Sequence, residues 1–178
     1  MNNNEEFQLT EAQRKAGNVV AGAYVVLCGI FLLLVGLNLF APLTLENSVV
    51  WAILIAIGLI FFTTALIQKN TVSMWLAFTF ITPATVTILN NYTALTYAQL
   101  YPLYIAIPAI SSIFTAIISK DRYFHLKIIA FFGITAGIFA LQSSGLVGWG
   151  VVIPVLLVLA GLIITLLAIR GNREKNNE

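Results

Sequence analysis

Six long apolar runs leave this chain little room to fold as anything but a bundle of membrane-spanning helices. They are Val19–Ala41, Val49–Ile67, Val72–Asn90, Ala98–Ile118, Ile128–Leu141 with its flanks, and Val147–Ile169, and none contains Asp, Glu, Lys or Arg. An α-helix needs about 20 mostly apolar residues to cross the hydrocarbon core of a bilayer. A transmembrane barrel would need strict alternation of apolar and polar residues, and open sheet edges do not occur in lipid. These runs are continuously apolar. The expected fold class is therefore all-α integral membrane, with six transmembrane helices.

Composition supports this. The 178 residues are 60% hydrophobic and 9% charged, whereas an ordinary soluble domain is about 25% charged. Too few polar residues exist to cover a water-facing surface. A soluble enzyme, a disordered regulator and a nucleic-acid-binding domain are all excluded. The spans take up most of the chain, leaving tails at 1–16 and 170–178 around a membrane domain at 17–169, with no room for an extramembrane domain. The fifth run is the shortest, and His125 and Lys127 extend it by snorkelling. The first run has no cleavage site after it and reads as a retained helix rather than a signal peptide. Before it, Thr10 and Gln13 have capping-box spacing, which predicts a short interfacial helix.

Charge sets the orientation. Arg14 and Lys15 lie in the amino-terminal tail, Lys69 in the second connector, Lys120, Arg122 and Lys127 in the fourth, and Arg170, Arg173 and Lys175 in the carboxy-terminal tail. The first, third and fifth connectors hold no basic residue. With six spans, every basic residue falls on one side, which the positive-inside rule makes cytoplasmic. Both termini are then cytoplasmic, and a bacterial inner membrane is the expected location. Trp51, Trp149, Tyr92, Tyr97 and Tyr101 fall near the outer span ends, and Trp75 and Tyr123 near the inner ones, as interfacial aromatic belts do.

The spans repeat in pairs. Pro102 follows Trp51 by 51 positions, and Pro154 follows Pro102 by 52. In that register the small residues Gly58, Ala109 and Gly161 align, and the basic Lys69, Lys120 and Arg170 follow further along, where each second helix reaches the basic side. Upstream, Asn38, Asn90 and Gln142 each close a first helix, with Gly29, Ile81 and Gly133 nine residues before them. The chain thus reads as three tandem parallel-repeat helical hairpins, about 17–69, 70–120 and 126–170. The aligned small residues are expected to permit close backbone approach. Gly133 and Gly137 form a GxxxG pair, which packs helices either within one chain or across a dimer.

The last hairpin, about residues 133–173, resembles the LiaI/LiaF-like transmembrane region. The residues that carry the likeness are the polar turn Gln142–Leu146, the entry at Trp149 and Pro154, the small centre Gly161 and the basic end Arg170 and Arg173. The middle hairpin is a weaker copy, through Asn90–Leu95, Tyr101-Pro102 and Lys120. A fainter likeness is to small membrane proteins similar to the acid-resistance protein HdeD. The LiaF-like resemblance implies a part in envelope-stress regulation, where the membrane region often accompanies a soluble carboxy-terminal domain. Such a domain is not expected here, since the chain given ends at Glu178. The resemblance implies no catalytic residue.

Chemistry-bearing residues are sparse. All seven Asp and Glu lie in tails or connectors, so the intramembrane charges of ion-coupled carriers are missing. His125 and Cys28 are the only residues of their types, and neither alone builds a zinc or haem site. His125 reads as an interfacial basic residue and Cys28 as a packing residue. No catalytic, metal or cofactor site is expected. Asn91-Tyr92-Thr93 matches a glycosylation sequon and reads as a chance match. The polar residues that do enter spans are mostly hydroxylic. Thr79, Thr82 and Thr85 recur along the third helix around Pro83, and Ser111, Ser112 and Thr115 follow Pro108 on the fourth. They read as interhelical hydrogen bonds or as the wall of a polar cavity. Lys120, Arg122 and Lys127 are expected to meet anionic headgroups. The expected function is a non-enzymatic membrane component, of envelope-stress or regulatory type, contacting lipid and a membrane-protein partner or a second copy. The alternative is a small transporter or binder of an uncharged solute or lipid, using the Thr/Ser/Pro face of helices three and four.

Overall fold

A computed structural model describes residues 11–40 and 43–161. The described residues are helical, with no strand. In chain order the helices are α1 (Glu11–Gly36), α2 (Leu45–Gln68), α3 (Thr71–Tyr92), α4 (Tyr97–Ile118) and α5 (Arg122–Ser143). A further helix, α6, is described over Trp149–Gly161. Helices α1 to α5 are each long and apolar enough to cross a membrane. A 22-residue helix such as α4 is about 33 Å long at 1.5 Å per residue, which matches a hydrocarbon core. The last part of the sixth apolar run, with Arg170, Arg173 and Lys175, lies outside the described residues.

Local signals explain where the helices start and stop. Helix α1 ends in a Schellman turn. Asn38 takes the left-handed conformation at φ 57°, Leu39 N–H donates to Leu34 at 3.1 Å, and Asn38 N–H donates to Val35 at 2.9 Å. This satisfies carbonyls that the helix end would leave bare. The same device ends α5, with Gly145 at φ 77° and Leu146 N–H donating to Leu141. At the end of α2, Lys69 is left-handed at φ 49°, although a side chain there costs more than glycine would. The next residue, Asn70, caps α3 by accepting from Val72 N–H at 2.9 Å and Ser73 N–H at 3.3 Å. Two residues therefore reverse the chain. Asp121 caps α5, its carboxylate accepting from Phe124 N–H at 3.1 Å.

Two boundaries differ from the sequence expectation. Helix α1 starts at Glu11, so the segment expected as a separate interfacial helix runs straight into the span. Glu11, Ala12, Gln13, Arg14, Lys15 and Ala16 are strong helix formers, and nothing there stops propagation. Thr10, the expected cap, lies outside the described residues. Helix α5 starts at Arg122 rather than Ile128, because the Asp121 cap sets its first turn. The fifth span is thus of ordinary length, and Lys127 sits in its second turn.

Packing follows chain order. Helix α1 lies on α2, α2 on α3, α3 on α4 and α4 on α5, and no other pair among these five is in contact. Helices α3 and α4 are central and bury the largest share of their residues; α1 and α5 bury least. The α2–α3 seam is built from small residues, with Ala65, Ala77 and Ala84 fully buried. Small side chains let helix backbones approach, which is how helices associate in a solvent as apolar as themselves. Phe78 ties three helices together. It stacks on Phe114 of α4 at 3.6 Å between centroids and meets Phe62 of α2 edge-on at 6.0 Å.

Candidate functional site

The hydroxylic face of α3 and α4 is where the sequence places its polar residues. Ser111, Ser112, Thr115 and Thr82 are buried, Thr79 is half-buried and Thr85 is exposed. Thr79 Oγ1 and Ser111 Oγ share a hydrogen bond of 3.2 Å across the two helices. The other threonine hydroxyls turn back onto their own helices. Thr82 donates to the Phe78 carbonyl at 2.8 Å, Thr85 to Ile81 at 3.0 Å and Thr115 to Ser111 at 2.7 Å. The carbonyl freed by Pro83 belongs to Thr79, one residue beyond the one that Thr82 reaches. Ser112 Oγ is buried with no hydrogen-bond partner. The structure brings Thr79 and Ser111 together and leaves Thr85 apart.

At the end of the bundle opposite Lys69 and Lys120, tyrosine hydroxyls join neighbouring helices. Tyr92 Oη of α3 shares a 3.2 Å hydrogen bond with Ser48 Oγ of α2, and Asn91 Nδ2 donates to the Asn47 carbonyl at 2.8 Å. Tyr101 of α4 donates to the Gln142 side chain of α5. Phe139 lies between Tyr101 and Trp149, with ring centroids 5.9 Å from each. These aromatics hold helices to one another as well as lying at a span end.

The glycines divide sharply. A Cβ on Gly58 would lie 2.6 Å from Ile81 Cγ1 and 3.0 Å from the Ala77 carbonyl oxygen. Gly58 therefore permits close backbone approach between α2 and α3, and Ala109 of α4 is buried. A Cβ on Gly161 would meet no described atom within 4 Å, nor would one on Gly133 or Gly137. The GxxxG pair on α5 is thus not used for packing within the described chain. Helix α1 carries Gly22, Gly29 and Gly36 at seven-residue spacing, and these too are open. Seven residues bring a helix back to nearly the same face, so α1 presents a single glycine-lined stripe.

Two cavities open between helices. One, of about 260 Å³, lies between α1 and α2 and is bounded by Cys28, Phe31 and Trp51. It is apolar apart from Trp51 Nε1, which is buried without a hydrogen-bond partner. The other, of about 580 Å³, lies where α3 and α5 diverge above α4. Thr115 and Pro108 of α4 line its floor, Thr71 and Trp75 of α3 one wall, and His125 and Phe132 of α5 the other. His125 is only 9% exposed, and its Nδ1 has no hydrogen-bond partner. The sequence assigns this histidine to the interface as a basic residue; the structure places it there, near the basic end, and buries it in a cleft wall. Asp121, Arg122 and Lys127 beside it in the sequence point to the interface and give no signal of that burial.

The three expected headgroup contacts also separate. Lys120, Arg122 and Lys127 are all exposed. Lys127 Nζ sits over the Tyr123 ring at 4.5 Å, on the side of α5 turned away from His125. Arg122 precedes His125 by three residues and shares its face. No group of His, Cys, Asp and Glu suited to a metal ion occurs among the described residues, and Cys28 is free. Comparison with protein-family models, with curated proteins and with solved structures finds no match.

Proposed function

We propose that this is a non-enzymatic multi-pass protein of a bacterial-type cell membrane that works through lateral helix contacts with another membrane-embedded component. One observation carries this reading: the open stripe of Gly22, Gly29 and Gly36 on α1, which among the five long described helices packs only on α2. Without a hydrophobic driving force between helices in lipid, small residues that admit a neighbouring backbone are what makes a helix face adhesive. Gly133 and Gly137 offer a second such face on α5. Within the chain, Gly58 shows the same residue type in use.

In this reading the basic end faces the cytoplasm, six spans are present, and the spans form three parallel hairpins. The charge partition supports the first two and the aligned residues the third. The extensive α2–α3 and α4–α5 seams run between hairpins rather than within them, so the repeat is one of sequence register and not of separately packed units. The likeness of residues 133–173 to LiaI/LiaF-like regions makes envelope-stress regulation the setting.

Cysteine crosslinking in native membranes tests the reading. In a Cys28→Ser background, Gly29→Cys is expected to give a discrete adduct with one membrane protein or a second copy. Gly22→Leu should abolish the adduct without lowering the amount of folded chain. No adduct from any of the three α1 positions, or one that survives Gly22→Leu, would overturn it.

A further inference from the structure

The cleft between α3 and α5 has a polar end and an apolar end, and the two follow depth. Helix α3 begins and α4 ends at the basic end of the bundle, and α5 begins there with Arg122. Thr71, Thr115 and His125 each lie within about one helical turn of that end, while Pro108 and Phe132 lie ten residues in. At 1.5 Å per residue that is about 15 Å, half of a ~30 Å hydrocarbon core and so the depth of one leaflet. Val72 and Phe124, which also border the cleft, are mostly exposed. Deeper in, Trp75, Ile128 and Phe132 are half-buried, so the cleft is open along its length as well as at its mouth. A volume of about 580 Å³ is within the usual range for a bound small molecule.

A purely apolar occupant would leave His125 Nδ1 buried and unpaired, which is costly. A purely polar one would be wasted on Ile128, Phe132 and Trp75. The walls fit an amphiphile whose polar group stops at His125. The charges at the mouth choose its sign: Arg122 shares the face of His125, Lys120 lies in the adjoining connector, and the nearby Asp121 carboxylate is engaged in capping α5. We propose that the cleft between α3 and α5 binds an anionic phospholipid from the leaflet on the basic side. Its phosphate accepts from His125 with Arg122 at the rim, and one acyl chain lies along Trp75, Ile128 and Phe132. This rests on the membrane-embedded reading of the chain but not on its having a protein partner.

Trp75 in the cleft wall is the reporter. With Trp51→Phe and Trp149→Phe, the full chain is placed in nanodiscs of phosphatidylcholine containing a rising fraction of brominated lipid. Brominated phosphatidylglycerol is expected to quench Trp75 at about tenfold lower mole fraction than brominated phosphatidylcholine, the ratio for a hydrogen bond to a charged group. His125→Ala and Arg122→Gln should each remove most of that preference. Lys127→Gln, on the other side of α5, should leave it unchanged. His125→Phe keeps the ring volume without Nδ1 and replaces His125→Ala if that variant does not fold. Equal quenching by both lipids overturns the proposal. So does a preference that survives loss of the His125 nitrogen, or one that Lys127→Gln reduces as much as Arg122→Gln, since that marks general attraction to the annulus. Failure of the chain to insert into nanodiscs at all would instead refute the membrane reading.

Discussion

Gly58 of α2 lies against Ile81 of α3 so closely that a single added methyl would come within 2.6 Å of Ile81 Cγ1. The Ala77 carbonyl closes the other side at 3.0 Å, so the space cannot be recovered by a rotamer change alone. This is the tightest point of the seam between α2 and α3, and Ala65, Ala77 and Ala84 continue it above and below.

Gly58→Ala is accordingly expected to cost about 1–3 kcal/mol, the usual range for overpacking a close-packed site. Unfolding in mixed detergent micelles measures it. Ile81→Ala introduced together with Gly58→Ala should recover part of the loss, because it removes the nearer of the two obstacles. A fully additive pair would show that the two residues do not compete for the same space.

The Ser48–Tyr92 hydrogen bond is a second testable tie. Ser48 is fully buried, so removing its partner strands a hydroxyl, at a cost of about 1–3 kcal/mol. Tyr92→Phe should destabilise by that amount. The double variant Ser48→Ala with Tyr92→Phe should cost less than the two single changes added, because no polar group is then left alone. Additivity in the double-mutant cycle would sink this account.

Across the central seam, Thr79 and Ser111 bond each other at 3.2 Å. Their coupling energy is expected to be small, about 0.6 kcal/mol, the average for hydrogen bonds between membrane helices, because Thr79 keeps a partner when Ser111 is lost. That partner is the Trp75 carbonyl, to which Thr79 donates at 3.0 Å. Thr79→Val and Ser111→Ala, singly and together, give the coupling; a value of several kcal/mol would mean that the two hydroxyls hold α3 and α4 together.

Much of the helix layout is legible residue by residue. The apolar runs mark the spans and Asn38 marks a stop, while the Asp121 cap that starts α5 six residues before its apolar run is seen only in the structure. Lys69 is not legible as a left-handed residue, since only the tight joint to α3 requires it. The candidate site is a different matter. The six hydroxylic residues of α3 and α4 can be picked out by eye, yet the cleft takes only Thr115 from them. Its other polar wall residues are Thr71 and His125, and His125 reads as an interfacial residue until α3 and α5 are seen to part above α4.

Gly58, Gly133 and Gly161 sit in equally apolar stretches, but only at Gly58 would an added Cβ meet a described atom within 4 Å. In water, an apolar stripe against a polar face tells which side of a helix is buried. In lipid both sides are apolar, so that signal is lost. A transmembrane helix satisfies its own backbone hydrogen bonds, and this is why the sequence alone determines that the helices exist, where they turn and which ends carry the charge. Which faces meet, which glycines are filled and which histidine is buried depend on shape matching between helices, and only the tertiary structure decides those.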